Sequence, residues 1–188
     1  MLYQAYQFQT DATSPLRLMS QIGSSLIGFA GAGSGLARRV SAALDVYSRM
    51  RLTHSRPDYG ISTVWVKEEA VAVQEESVLE MPFGRLLHFR KEAGAQPEGQ
   101  PKVLLVAPLS GHFATLLRET VRTLLQDHDV YITDWNNARD VPLSHGGFGL
   151  DDYIDHMIRF IEEVGVGTHV VAVCQPCVAA LAATAIMA

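Results

Sequence analysis

Cysteine is scarce in this sequence: 188 residues hold two, Cys174 and Cys177. A chain of this length does not rest on so small a disulfide framework, and with no second pair and scattered histidines it offers no zinc pattern. A surplus of basic charge is missing too. Fifteen Lys+Arg stand against twenty Asp+Glu, a net charge of −5, which excludes a general nucleic-acid-binding surface. Long hydrophobic runs are also lacking. The twenty uncharged residues from Leu18 to Ala37 match a membrane span in length, but ten of them are Gly, Ser or Gln, too polar for a transmembrane span. No basic segment followed by a compact apolar run opens the chain, which argues against a secretory signal. Gly23, Gly28, Gly31, Gly33 and Gly35 follow no strand and miss the G-x-G-x-x-G spacing, so a dinucleotide fingerprint is excluded as well.

What is present is enough for a real core: 48% of residues are apolar and 19% charged, the balance of a folded chain. Charge divides the sequence. Residues 1–56 hold six Arg, no Lys and two Asp; they read as a helical, glycine-rich segment, a flexible link leading into an amphipathic helix from Leu36 to Leu52. Residues 57–188 read as one α/β domain. Thr63 to Gln74 alternates as one or two strands, and Val78–Met81 and Arg85–Arg90 pair as a hairpin around Pro82-Phe83-Gly84. Then the period changes. Val103–Ala107, Val130–Thr133 and His169–Val173 are continuous apolar runs, the mark of strands buried on both faces. Helical stripes at Ala114–Gln126, Asp151–Val164 and Cys177–Met187 follow them in turn. Antiparallel strands and then three β-α units imply a mainly parallel sheet with helices on both faces. The closing VAALAATAIMA has no charge and calls for neighbours on several sides, so the chain reads as stopping mid-domain, just after this helix.

Chemistry concentrates at Cys174. It stands directly after the run His169–Val173 and just before the helical pattern that starts at Cys177. Such a turn is held at the carboxyl edge of the sheet, where α/β sites form, and the amino end of the next helix favours thiolate and oxyanion alike. Ala172-Val173-Cys174-Gln175-Pro176 follows the plan of the G-x-S-x-G nucleophile elbow of α/β-hydrolases, with thiol for hydroxyl and with Ala and Pro for the two glycines. An oxyanion hole on this plan takes the N–H after the nucleophile, here Gln175, and one from the loop Pro108-Leu109-Ser110-Gly111-His112-Phe113. Gly111 admits close backbone approach, and the N–H groups from Gly111 through His112 to Phe113 can point at a carbonyl oxygen.

These residues carry a resemblance. APLSGHFATLLRETVRTLLQDHDVYITDWNNAR (Ala107 to Arg139) and VCQPCVAALAA (Val173 to Ala183) resemble the intracellular polyhydroxyalkanoate depolymerases, as do MLYQAYQFQ and VLEMPFGRLLHFR. The resemblance implies an α/β-hydrolase-like fold, a Cys174 nucleophile, no cofactor, and poly(3-hydroxybutyrate) as substrate. It further implies a cytoplasmic protein at the storage granule. The expected reaction is attack of the thiolate on a polyester carbonyl, then release of the thioester to water or to a thiol.

Other readings stand beside these. Cys174-Gln175-Pro176-Cys177 fits C-x-x-C, but a thioredoxin-like fold needs strands and a helix after the motif. A granule-binding scaffold without catalysis is a further alternative. Cys177 reads as a small buried residue on the first turn of the helix, with a disulfide to Cys174 as the alternative. His112 reads as an oxyanion-loop or substrate contact, because the triad order of this fold puts its histidine after the nucleophile. Asp134 and Trp135 read as a loop-anchoring hydrogen bond and core packing, with a polymer contact as the alternative.

Overall fold

In the computed structural model, which describes residues 2–30, 34–50, 56–92, 99–109, 113–138 and 140–188, the chain divides into two units, 1–55 and 56–188. The first is helical, with α1 (Leu2–Ala12), α2 (Ser14–Ala30) and α3 (Gly35–Arg49). The expectation of a flexible glycine-rich link is corrected here, because Leu18 to Ala30 is helix. A single glycine costs a helix about 1 kcal/mol without breaking it. At Gly23 a Cβ would lie 3.5 Å from Leu44 Cδ1 of α3, an ordinary contact distance. Gly31 and Gly33 lie outside the described residues, as do Arg51 and Leu52 at the end of the expected helix. Ser34 caps α3, its hydroxyl accepting the Ala37 N–H. Among the described residues no helix is long and apolar enough to cross a membrane.

The second unit is mixed α/β. Its strands β1 (Thr63–Val66), β2 (Glu69–Met81), β3 (Gly84–Lys91), β4 (Lys102–Val106), β5 (Asp129–Trp135) and β6 (His169–Ala172) lie in the order β1-β2-β3-β5-β4-β6. The alternating segments form the antiparallel part, β1 to β3, and β3 joins it antiparallel to β5. The continuous apolar runs form the parallel part, β5 beside β4 and β4 beside β6. β2 runs unbroken through Glu75 and Glu76 because both carboxylates have partners. Arg56 lies 2.9 Å from Glu75, and His88 and Arg90 lie 3.0 and 2.8 Å from Glu76. The β2–β3 turn is Pro82-Phe83, and only glycine fits at the residue that follows it. A Cβ on Gly84 would come within 2.8 Å of the Trp135 ring.

Strand alternation divides the apolar side chains between two cores. On one face Leu87, Leu105 and Ile132 pack with Val121 and Leu125 of α4 (Arg118–Leu124) and its flank, behind a 3₁₀ turn at Ala114–Leu117. On the other face Leu86, Leu104 and Val106 pack with Met157 and Phe160 of α5 (Leu150–Val164) and Ala180 and Ala183 of α6 (Cys177–Met187). Each fully buried leucine or isoleucine contributes about 1.5–3 kcal/mol. Both ends of α5 are tied off. Asp152 accepts the Gly149 N–H at 2.7 Å, and Lys102 of β4 donates to the Val164 carbonyl at 2.7 Å beside Gly165, whose φ is 88°. One expectation about burial is corrected: β6 is the outer strand among the described residues, and its side chains alternate between exposed and half-buried.

Candidate functional site

β6 pairs with β4 from Val103↔His169 to Val106↔Ala172, and the Val173 N–H extends the ladder to the Val106 carbonyl at 3.2 Å. Cys174 is therefore the first residue past the sheet, and its backbone is left-handed, with φ of 69°. For a residue with a Cβ this conformation costs about 1–2 kcal/mol. The chain then folds back at once: Cys177 N–H donates to the Cys174 carbonyl at 3.2 Å, and Ala180 N–H to the Pro176 carbonyl at 2.9 Å. Pro176, with φ of −57°, sits where its ring fits and its missing N–H leaves nothing unpaired. Ala172 and Pro176 thus occupy the two glycine positions of the elbow motif without strain, and the strain falls on Cys174 alone. Cys174 and Gln175 are exposed, and among the described residues nothing accepts the Gln175 N–H.

The helix that follows β4 lies on one face of the sheet and the helix that follows β6 lies on the other. Neighbouring parallel strands whose connections part in this way leave a crevice beyond their carboxyl ends. Cys174 stands at this edge of β6, and the described start of the loop after β4, Ala107–Leu109, stands at the same edge of β4. The near end of that loop is pinned twice to β5: Ala107 N–H donates to Thr133 Oγ1 at 3.0 Å, and Trp135 Nε1–H donates to the Ala107 carbonyl at 2.9 Å. Its far end enters the 3₁₀ turn, where Ala114 and Leu117 are buried. Gly111 and His112, the expected oxyanion-loop residues, lie outside the described residues.

Trp135 and Asp134 serve as anchors. Asp134 is 3% exposed, and its Oδ2 lies 2.9 Å from Arg85 Nη2 and 3.3 Å from Arg56 Nε. Burial works against the Arg56 charge, but Asp134 and Glu75 outweigh it and hold the guanidinium above its ordinary value. Cys177 departs from the expected burial: its thiol is exposed and donates to the Ala172 carbonyl at 3.3 Å. Both thiols are free.

Sequence reasoning missed an aromatic cluster at the same sheet edge. Trp135 packs edge-on to Tyr153 at 4.9 Å, and Phe148 packs edge-on to His156 at 5.1 Å. Tyr153 and His156 are buried, and Tyr153 Oη and His156 Nε2 have no partner among the described residues. Burial pushes the Tyr153 phenol up, and nearby Cys177 adds to the rise. The spacing of Tyr153, His156 and Phe160 on the inward stripe of α5 carried this signal. No described histidine is hydrogen-bonded to the Cys174 thiol. His156 Nδ1 donates to the Asp152 carbonyl, His128 faces the Leu124 carbonyl, and His88 lies between Glu76 and Asp129. Comparison with protein-family models, with curated proteins and with solved structures finds no match to this chain.

Proposed function

We propose that this chain carries the nucleophile and oxyanion-hole part of an α/β-hydrolase-like carboxylic ester hydrolase, acting on polyhydroxyalkanoate through Cys174. The single observation that carries the reading is the left-handed Cys174 between a parallel strand and a helix. A residue forced into that conformation presents its side chain above the sheet edge, which is the purpose of a nucleophile elbow. The parting of the connections after β4 and β6, a Gln175 N–H without a partner among the described residues and the pinned Ala107 all favour acyl transfer.

In this mechanism the Cys174 thiolate attacks an ester carbonyl of the polymer. A carbon–sulfur bond forms, and the oxyanion is held by the Gln175 N–H and by an N–H of the Gly111–His112 loop. The intermediate collapses to a thioester, and the departing alkoxide takes up a proton as the hydroxyl end of the shortened chain. Water then cleaves the thioester, giving a carboxyl end and the free thiol. A storage-granule location in the cytoplasm follows from this substrate.

A second reading is thiol–disulfide exchange, favoured by the hydrogen-bonded turn that joins two free, exposed cysteines. Two assays on the protein separate them. Release of soluble 3-hydroxybutyrate from amorphous polymer, lost in Cys174→Ala and kept in Cys177→Ala, is the expected result. Reduction of insulin without ester hydrolysis would establish the second reading instead.

A further inference from the structure

The helical unit is built inside out. α2 and α3 face each other with small and polar side chains: Ser24 is 8% exposed, Gly23 lies against Leu44, and Ser41 Oγ donates to the Ser24 carbonyl at 2.9 Å. Leu44 and Ile27 are half-buried at this seam, but most large apolar side chains of α2 and α3 turn away from it. Met19 and Leu26 of α2 are 70% and 65% exposed, and Leu36 of α3 is 74% exposed. In water, helices pair by burying their apolar stripes. Small residues at the seam, a serine hydrogen bond across it and apolar side chains outside are instead the pattern of helices whose surroundings are lipid.

Length and charge narrow the setting. Neither helix is long and apolar enough to cross a bilayer, so the arrangement open to the pair at a lipid surface is in the plane of the interface. The charge of residues 1–55 is one-sided, five Arg against two Asp with no Lys and no Glu. Asp45 is engaged by Arg49 at 3.0 Å, which leaves Arg38 and Arg39, both exposed, at the start of α3. Near an anionic surface each such residue adds about fivefold to binding.

We propose that the outward face of α2 and α3 docks on an anionic phospholipid layer, with Met19, Leu26 and Leu36 entering the acyl boundary and Arg38 and Arg39 meeting the headgroups. The inference stands apart from the hydrolase reading, because no residue of the Cys174 turn takes part in it.

Co-sedimentation of the 188-residue chain with vesicles tests it. Vesicles of mixed phosphatidylglycerol and phosphatidylcholine should bind the chain at least about tenfold more tightly than phosphatidylcholine alone, given two arginines at the surface. The double substitution Met19→Glu with Leu26→Glu should abolish sedimentation while circular dichroism keeps its helical signal, since both side chains lie off the seam. Arg38→Glu with Arg39→Glu should remove the preference for anionic vesicles. Cys174→Ala should bind as the parent does, so that failure of the hydrolase reading leaves this result intact. Absence of vesicle binding overturns the proposal, and so does undiminished binding by the Met19 and Leu26 variant. Loss of a dimer in that variant, with no vesicle binding by the parent, would assign the face to a second copy of the chain and overturn the lipid proposal.

Discussion

Cys174 holds a backbone conformation that its own side chain disfavours, and this gives the elbow a stability signature separate from any chemistry. Cys174→Gly removes the Cβ from a left-handed position and should raise the unfolding free energy by about 1 kcal/mol. Cys177→Gly, in the first helical turn, should not raise it. Urea unfolding of the two variants beside the parent checks the contrast. Gly84 behaves in the opposite sense: Gly84→Ala drives a Cβ against the Trp135 ring at 2.8 Å and should cost about 1–3 kcal/mol by the same measurement. The first of these positions was legible in the sequence and the second was not. An apolar run, a cysteine and a helical stripe in succession announce a strand-to-helix turn. The need for glycine at position 84 depends on a tryptophan distant along the chain, brought near by β3–β5 pairing.

Between elements, a polar network joins β2, β3 and β5 at the sheet edge away from Cys174. His88 of β3 lies 2.7 Å from Asp129 of β5 and 3.0 Å from Glu76 of β2, and it stacks on Tyr131 at 4.2 Å. Burial raises Asp129, but the hydrogen bond and charge of His88, with Lys91 and Lys102, more than reverse this and hold the carboxyl below its ordinary 3.8. A carboxyl depressed in the folded state contributes stability above its unfolded value and loses it as pH falls through its folded value. The unfolding free energy should therefore hold near neutral pH and drop below about pH 4, in step with Asp129. His88→Ala should cost about 3 kcal/mol at pH 7 by taking from a buried carboxylate its closest hydrogen-bond partner, and should flatten this acid limb. Urea titrations across the pH range measure both effects. Such networks escape sequence reading because a lone histidine in an alternating strand looks like its neighbours. The strands themselves were readable from the switch between alternating and continuous apolar runs. β2 was divided in that reading because Glu75 and Glu76 interrupt its pattern, and their partners Arg56, His88 and Arg90 come from other segments.

At the scale of the molecule, the antiparallel start and the parallel β-α units were foreseen from the order of the segments. The sheet expected to be mainly parallel is mixed, three of its five pairings being antiparallel because β3 joins β5. The helical unit was misjudged because glycine count outweighed helical spacing in α2. Among the described residues, the edge strand β6 and the exposed apolar side chains of α6, Val178 at 68% and Leu181 at 72%, leave apolar surface and open backbone groups at one side of the sheet. The 188-residue chain should associate as its concentration rises, and Leu181→Glu should shift sedimentation profiles toward monomer. No described histidine is hydrogen-bonded to the Cys174 thiol, so the reaction to follow is its acylation. Exposure to an activated 3-hydroxybutyrate ester, followed by intact-mass and peptide mass spectrometry, tests the central claim most directly. The elbow assignment predicts one acyl group per chain, on Cys174, kept in Cys177→Ala and missing in Cys174→Ala. An acyl group on Cys177, or equal labelling of the two thiols, would contradict it.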